Sequence, residues 1–120
     1  MITLIDIPSE KTLGLKISGK INKEGMDSVI HKIQTLMGAT NQRLNIYVEL
    51  EKWEGFTLAA LYEDMKFSLP SMRRFAKEAI VTDKSWVAPL IKFNDKLFPS
   101  LELKAFPKEE KTTALKWVQE

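Results

Sequence analysis

Hydrophobic and polar residues alternate near the amino terminus in a pattern typical of β-strands. Residues 4–7 form a short apolar run, and Pro8 ends it. In the next segment, every second residue is apolar, namely Leu13, Leu15 and Ile17. A period of two predicts a strand with one solvated face. Residues 8–11 predict a turn between the two strands, so we expect an antiparallel pair, with Gly19 ending the second strand.

The period changes from two to about 3.6 after Asn22, which is a suitable N-cap for a helix. Apolar residues then recur at spacings of three and four, namely Met26, Val29, Ile30, Ile33 and Met37. This stripe predicts one amphipathic helix that Gly38 closes. A third strand is predicted from the alternating residues Leu44, Ile46, Val48 and Leu50. Residues 53–56 predict a loop.

A second helix is predicted to begin after Thr57, its natural N-cap. One face of this helix carries Leu58, Leu61, Tyr62, Met65, Leu69 and Met72. Pro70 lies inside the pattern, so we expect a kink or a break there. Other sides carry Phe56, Ala59, Ala60 and Phe67. A helix that is apolar most of the way round must be covered. We rank a second subunit first as the cover, because two-fold dimers are the commonest oligomers, then a bound apolar molecule; neighbouring helices are the third option.

The second half of the chain continues to alternate strand and helix. Residues 79–81 predict a buried central strand. A helix is predicted next, with Trp86, Leu90, Ile91, Phe93, Leu97 and Phe98 on its apolar side and Pro99 at its end. The last strand is predicted from Leu101, Leu103 and Ala105. A final helix starting at Pro107 has a core side of Ala114, Leu115 and Val118, with Trp117 beside it.

The element order is therefore ββαβαβαβα, which predicts an α/β fold with a mixed sheet and helices packed on it. After the opening hairpin, each strand is followed by a helix, as in parallel βαβ units with right-handed crossovers. No repeat or linker interrupts the chain, so we predict one domain over residues 1–120.

Composition narrows the function classes only slightly. Hydrophobic residues make up 44% of the 120 residues and charged residues 28%, which indicates a globular chain with a real core. The formal charge of +2 disfavours nucleic acid as a partner. No cysteine, no signal peptide and no apolar run of membrane-spanning length are present, so we expect a cytoplasmic protein without a membrane span.

Several blocks of the chain together resemble a known family. They are Trp53-Glu54-Gly55-Phe56-Thr57, Tyr62-Glu63-Asp64-Met65-Lys66, Arg73-Arg74-Phe75, residues 79–86, and the tail with Phe106-Pro107 and Ala114-Leu115-Lys116-Trp117. These blocks are similar to the SpoIIAA-like family, a group of small bacterial proteins of mostly unassigned function with the STAS-type fold. The resemblance covers essentially the whole chain and rests on packing residues more than on chemistry.

The resemblance implies two functional precedents. Anti-sigma-factor antagonists of this fold are switched by phosphorylation of a serine at the start of the second helix. Related folds of the CRAL-TRIO type hold small apolar or lipid-like molecules beneath helices. This chain departs from the first precedent, because residues 51–57 contain no serine and Thr57 is the hydroxyl residue nearby.

The turn before the second helix carries the first candidate site. Thr57 could accept a phosphate at a helix N-terminus, although an ordinary cap is the interpretation we favour. Trp53 and Phe56 flank Gly55 and could contact a partner or ligand. We favour core or dimer packing for both, because large aromatic side chains are mostly buried.

Charged residues supply no catalytic or metal-binding arrangement that we recognise. Glu63, Asp64 and Lys66 are close in sequence, but no nucleophile or orienting base accompanies Asp64, which we expect to bond a backbone group or Lys66. A basic cluster of Lys66, Arg73, Arg74 and Lys77 could receive an acidic group, although a solvated helix face is the interpretation we favour. His31 is the single histidine and should be exposed, and we predict neither metal nor cofactor.

Three hypotheses for function follow. The leading one is a non-enzymatic regulatory or protein-interaction module acting through the second helix. The alternative is a carrier of a small apolar or lipid-like molecule between the second and third helices, lined by Phe56, Tyr62, Met65, Phe67, Trp86, Leu90 and Phe93. An enzyme is the third. The contact residues that these hypotheses select are Trp53, Phe56, Thr57, Tyr62, Met65, Lys66, Arg73 and Trp86.

Overall fold

The structure is a computed structural model that describes residues 1–84, 89, 91–92, 95–96 and 98–120. Within the helix predicted over residues 86–98, residues 89, 91–92 and 95–96 are helical. Several residues that the sequence analysis placed on this helix lie outside the described part, namely Trp86, Leu90, Phe93 and Leu97.

The described elements follow the predicted order. Their bounds are β1 Ile2–Ile5, β2 Thr12–Ile21, α1 Lys23–Ala39, β3 Leu44–Phe56, α2 Leu58–Ser71, β4 Phe75–Val81, β5 Glu102–Phe106 and α3 Lys111–Gln119. Two short 3-10 helices, Met72–Arg74 and Lys108–Glu110, precede β4 and α3.

One five-stranded sheet organises the chain, with the strands in the order β1-β2-β3-β4-β5. β1 runs antiparallel to β2, and the other neighbouring strands are parallel. This arrangement confirms the predicted α/β class with a mixed sheet. Residues of α1 and α2 pack in the hydrophobic core on one face of the sheet, and α3 packs in a second core on the other face.

The first strand lies nearer the amino terminus than predicted, at Ile2–Ile5 instead of residues 4–7. Ile7 lies beyond the strand but is still buried. Its Cδ1 would come within 2.7 Å of a Cβ atom built on Gly14, so the isoleucine occupies the space that the glycine leaves. The apolar run 4–7 therefore joins the end of a strand to a separate core contact.

β2 and β3 are both longer than predicted, and the loop predicted at residues 53–56 is wrong. β2 continues past Gly19 to Ile21, and Ile21 pairs with Phe56 at the end of β3. Register shifts on both sides of Gly19 show an irregular, bulged pairing. Gly19 and Gly55 have φ values of 68° and 107°, a region that glycine reaches without a Cβ clash. The glycines therefore bend a continuing strand pair instead of ending it.

The predicted N-caps of the first two helices are confirmed. The Gly25 amide donates to Asn22 Oδ1 at 2.9 Å, and the Ala60 amide donates to Thr57 Oγ1 at 3.1 Å. Pro70 does not divide α2, because the helix continues through it to Ser71 and then gives way to the 3-10 helix. Proline removes one i→i−4 hydrogen bond and crowds the preceding turn, and the α-helix accordingly ends one residue later, at Ser71.

Candidate functional site

The outward side of α2 is the largest apolar surface on the described helices, and we call it the outer face of α2. It consists of Leu58, Leu61, Tyr62, Met65 and Leu69, which are 85%, 40%, 62%, 57% and 52% exposed. Leu61 lies at its edge and also lines a cavity beneath the helix. Their spacing of three and four residues places them on one stripe. Such a stripe normally faces the core. In α2 it faces outward instead, and Ala60 is the helix's buried residue.

The opposite side of α2 faces the sheet and is partly polar. Phe67 packs edge-to-face against Phe75 of β4, with ring centroids 6.4 Å apart. Asp64 and Ser68 also lie on this side, and the Ser68 hydroxyl donates to Asp64 Oδ1 at 3.0 Å. Asp64 was predicted to bond a backbone group or Lys66, and this prediction is wrong: Asp64 accepts from Ser68, and Lys66 pairs with Glu63 at 3.4 Å. Over this stretch, α2 therefore turns large apolar side chains toward solvent and some polar side chains toward the sheet.

A cavity of about 340 Å³ separates α2 from the sheet. α1 contributes Met26, Val29 and Ile33 to its wall. The central strands contribute apolar side chains, namely Leu15, Ile17, Ile46, Val48, Leu50, Phe75 and Ile80. Asp64, Ser68 and Glu78 are the side chains with charged or hydroxyl groups among the described lining residues. The volume lies at the lower end of the range for small-molecule sites, which runs from about 300 to 1,000 Å³.

The two carboxyl groups of the cavity wall have altered acidity. Burial, with a smaller contribution from the nearby charge of Asp64, raises the pKa of Glu78 to about 7. Burial also raises the pKa of Asp64, while the hydrogen bond from Ser68 opposes that shift. No hydrogen bond or ion pair from the described residues reaches the Glu78 side chain. Glu78 is therefore a half-buried acid on the cavity wall that receives no counter-charge from the described residues.

Trp53 and Phe56 also line the cavity and pack edge-to-face, with ring centroids 5.1 Å apart. Both are half-buried and pack against the core beneath α1 and α2. Thr57 follows them, and its amide donates to the Ile21 carbonyl at 2.9 Å. This bond holds the start of α2 at the end of β2. The half-buried Thr57 hydroxyl is engaged as the cap of α2.

The basic cluster expected from the sequence is not assembled. Arg74 donates to the carbonyls of Met37, Thr40 and Gln42 at the carboxyl end of α1. Lys77 contacts Trp117 of α3, with 5.1 Å from Nζ to the ring centroid. Arg74 is thus held at the backbone of α1, and Lys77 lies on the α3 side of the sheet. Neither forms a cluster with the exposed Lys66 and Arg73. Lys66 lies 5.1 Å from the Tyr62 ring centroid, and the two side chains form part of the helix surface.

Tyr62 and Met65, predicted as cavity-lining contacts, lie on the outer face of α2 instead. Phe67 packs on the core and is absent from the described cavity wall. Among the described residues, the cavity lies between α1, α2 and the sheet, and Phe56 lines it as predicted. Trp86 was also predicted as a contact, but it lies outside the described residues.

Glu78 is the site residue that the sequence analysis missed. It occupies the middle of β4, between Phe75 and the apolar residues 79–81. A charged residue at an interior strand position next to an apolar run is a detectable sequence feature. The sequence does not show that Glu78 faces a cavity, or that α2 places Asp64 on the wall of the same cavity.

The remaining described residues show no metal-binding arrangement. His31 is exposed, as predicted. No group of three or more His, Cys, Asp or Glu side chains in the described ranges is arranged to hold a metal ion. None of the helices built from described residues combines the length and apolar character needed to cross a bilayer.

Comparisons with known proteins identify the fold. The SpoIIAA-like family model matches residues 12–119. An uncharacterised protein of the DUF3478 family from Shewanella loihica PV-4, which has a SpoIIAA-like fold, is 20% identical and superposes with a TM-score of 0.77. That comparison covers 98% of this chain and 92% of the other. No curated protein matches the sequence.

A second similar structure is that of the anti-sigma factor antagonist SpoIIAA in its unphosphorylated form. It is 13% identical, with a TM-score of 0.61, and the comparison covers 97% of this chain and 98% of the other. At these identities, both structures establish the fold alone.

Proposed function

This chain belongs to the SpoIIAA-like family, and from that premise we propose that it is a non-enzymatic regulatory module that acts by protein contact through the outer face of α2. The anti-sigma factor antagonist among its structural neighbours supports a regulatory role of this kind. The absence of cysteine agrees with the cytoplasmic location that we include in the proposal.

The exposure of the outer face of α2 is the observation that carries this proposal. Five large apolar side chains on one stripe are costly to leave in water, at about 25 cal/mol per Å² of apolar surface. Contiguous apolar patches of this kind mark interaction sites on soluble proteins. Leu58 and Tyr62 lie within two turns of Thr57, so the predicted partner would also cover the turn at which α2 begins.

We take a second copy of this chain as the occupant. A two-fold pair of outer faces would shield the same stripe on both molecules without another component. Tyr62 and Met65 lie near the middle of the stripe, where the central anchors of an interface are normally found. The aromatic ring and the flexible thioether suit packing against their symmetry mates.

Sedimentation equilibrium tests this assembly. We expect a dimer for the wild type and a monomer for the double variant Leu58→Ser/Met65→Ser. Leu4→Ser, which removes an exposed apolar side chain from β1, is the matched control and should stay dimeric. A monomeric wild type, or a dimer unaffected by the α2 changes, would contradict self-association through this face.

A second candidate function rests on the other side of α2. The cavity between α2 and the sheet favours a binding site for a small, mainly apolar molecule, because its wall is apolar apart from a few polar groups. Ligand binding and protein contact are compatible, since the two surfaces lie on different sides of α2 and share only Leu61 at their border. A ligand could then adjust the position of α2 and hence its outer face.

Native mass spectrometry and a competition assay with an apolar fluorescent probe test the cavity. Ile80→Phe should reduce probe binding, because the larger ring occupies the volume that the probe needs. Leu4→Phe makes a similar change on the exposed side of β1 and should leave binding intact. Equal probe binding by the wild type and Ile80→Phe would count against the cavity as the site.

A further inference from the structure

The charged groups among the described residues lining the cavity are all of one sign. Asp64 enters from α2 and Glu78 from β4, and both line the same space. No lysine, arginine or histidine belongs to this part of the wall. The described lysines 84, 92 and 96 are exposed, and Lys66 pairs with Glu63. The polar end of the cavity is therefore acidic.

A carboxylate inside an apolar wall requires a counter-charge or a proton. Asp64 receives one hydrogen bond, from Ser68, whereas Glu78 receives neither a hydrogen bond nor an ion pair from the described residues. Burying an ion without a partner costs several kcal/mol, so such a group stays protonated or acquires a cation. The raised pKa of Glu78 agrees with the first state in the empty cavity.

We propose that Asp64 and Glu78 bind the protonated amine of a small amphiphile whose hydrocarbon part fills the apolar remainder of the cavity. An ammonium group supplies three donors and a positive charge, which match two carboxylates and the Ser68 hydroxyl. Trp53 and Phe56 line the same cavity, and their rings tolerate a neighbouring cation. This inference rests on the cavity as a ligand site, the second function proposed above.

The same geometry disfavours other head groups. A fatty-acid carboxylate at this end would meet two acidic groups, and like charges at close range repel each other. A neutral alcohol could hydrogen-bond to a carboxyl group but would neutralise no charge. The apolar walls contributed by α1 and the central strands bind the hydrocarbon part of all three molecules equally. The head group therefore decides the preference.

Amine binding should be linked to proton release. With a pKa of about 7, Glu78 is protonated in much of the population near neutral pH, and a bound ammonium would replace that proton as the counter-charge. Asp64 on α2 is the titratable group facing Glu78 among the described lining residues, since the contributions of α1 and β3 are apolar. Binding should therefore strengthen as pH rises from about 6 to 8, while the amine stays protonated.

Isothermal titration calorimetry with octylamine, octanol and octanoate, all with eight carbons, separates the alternatives. We expect octylamine to bind about tenfold or more tightly than octanol, the size of a charge-assisted contact, and octanoate to bind weakest. Glu78→Gln should remove most of the amine preference while octanol binding stays. Glu102→Gln on the exposed part of β5 is the matched control and should behave as the wild type.

The other possible results separate a failure of the amine proposal from a failure of the cavity as a ligand site. Equal binding of octylamine and octanol, an unchanged preference in Glu78→Gln, or tightest binding of octanoate would overturn the amine proposal while the cavity still binds apolar molecules. If none of the three molecules binds, the cavity function itself fails, and the amine proposal fails with it. Far-ultraviolet circular dichroism confirms that each variant is folded before titration.

Discussion

The two faces of the sheet are covered in different ways. On one face, α3 packs Ala114 and Val118 directly against Tyr47 and Ala79, and all four are fully buried. On the other face, α2 buries only Ala60 and leaves a cavity above the strands. The closed face is packed with buried side chains, whereas the open face has a cavity below α2 and an apolar surface above it. The closed face therefore contributes mainly to stability, and the binding that we propose uses the open face.

The two faces also differ in the hydrogen bonds that their polar side chains make. On the closed face, the amide Nδ2 of Asn45 donates to the Val118 carbonyl at 2.7 Å, and the Lys77 ammonium donates to the Trp117 carbonyl at 3.2 Å. Both bonds tie α3 to the sheet. On the open face, Glu78 has no such bond from the described residues. The two bonds to α3 fix its packing, although Asn45 Oδ1 on the same face is buried without a partner among the described residues. Glu78 differs because it is an ionisable group beside a cavity.

Among the predictions that test this comparison, substitution of the two tyrosines should give the largest difference in stability. Tyr47 is fully buried on the closed face, and its hydroxyl donates to Glu49 Oε2 at 2.7 Å. Tyr47→Ala should lower the free energy of unfolding by about 3–5 kcal/mol, because it leaves a cavity in a packed core. Tyr62→Ala on the outer face of α2 should change it by less than about 0.5 kcal/mol. Urea denaturation of both variants, under conditions where the wild type is monomeric, measures the difference; equal losses would contradict the comparison.

The pH dependence of stability gives the next effect in size. The folded-state pKa of Glu78 is about 7, above the ordinary value of 4.5. The folded state therefore holds this proton more tightly, so the contribution is complete below pH 4.5 and is lost as pH rises through 7. The loss amounts to about 3 kcal/mol, since one pKa unit corresponds to about 1.4 kcal/mol. Asp64, whose pKa is also raised, acts in the same direction at lower pH.

Glu78→Gln should remove most of that loss and should exceed the wild type in stability at pH 8. Urea denaturation at pH 5, 6, 7 and 8 measures both proteins on the same scale, and Glu102→Gln is the exposed control. A variant with the same pH profile as the wild type would show that Glu78 is solvated instead of buried.

The cap of α2 gives the smallest effect and separates a structural threonine from a regulatory one. Thr57→Ala should lower the free energy of unfolding by about 1 kcal/mol, because the Ala60 amide loses its acceptor. Thr57→Asp restores an acceptor and adds a negative charge at the helix N-terminus, so its stability should return to near the wild-type value. Thermal unfolding measures both variants. If Thr57→Asp also changes the dimer equilibrium while Thr57→Ser does not, the charge at this turn acts as a switch.

The sequence predicted the local structure well where a few neighbouring residues decide it. Asn22 and Thr57 were predicted as N-caps because a cap needs an oxygen acceptor beside the first amides of a helix. The predicted strand end at Gly19 and the predicted loop at residues 53–56 were wrong, because neighbouring residues alone do not decide what a glycine does. Glycine permits both a turn and a bulged strand, and only pairing between β2 and β3 distinguishes them.

The sequence by itself determined the order of strands and helices, the mixed sheet and the family, because periodicity, caps and βαβ connections depend on neighbours along the chain. The tertiary structure decided which side of α2 faces outward, that Arg74 caps α1, and that Asp64 and Glu78 share one cavity. These features depend on how α2 is placed between α1 and the sheet. That placement follows from contacts between distant residues, and an apolar stripe has the same period whether it faces the core or the solvent.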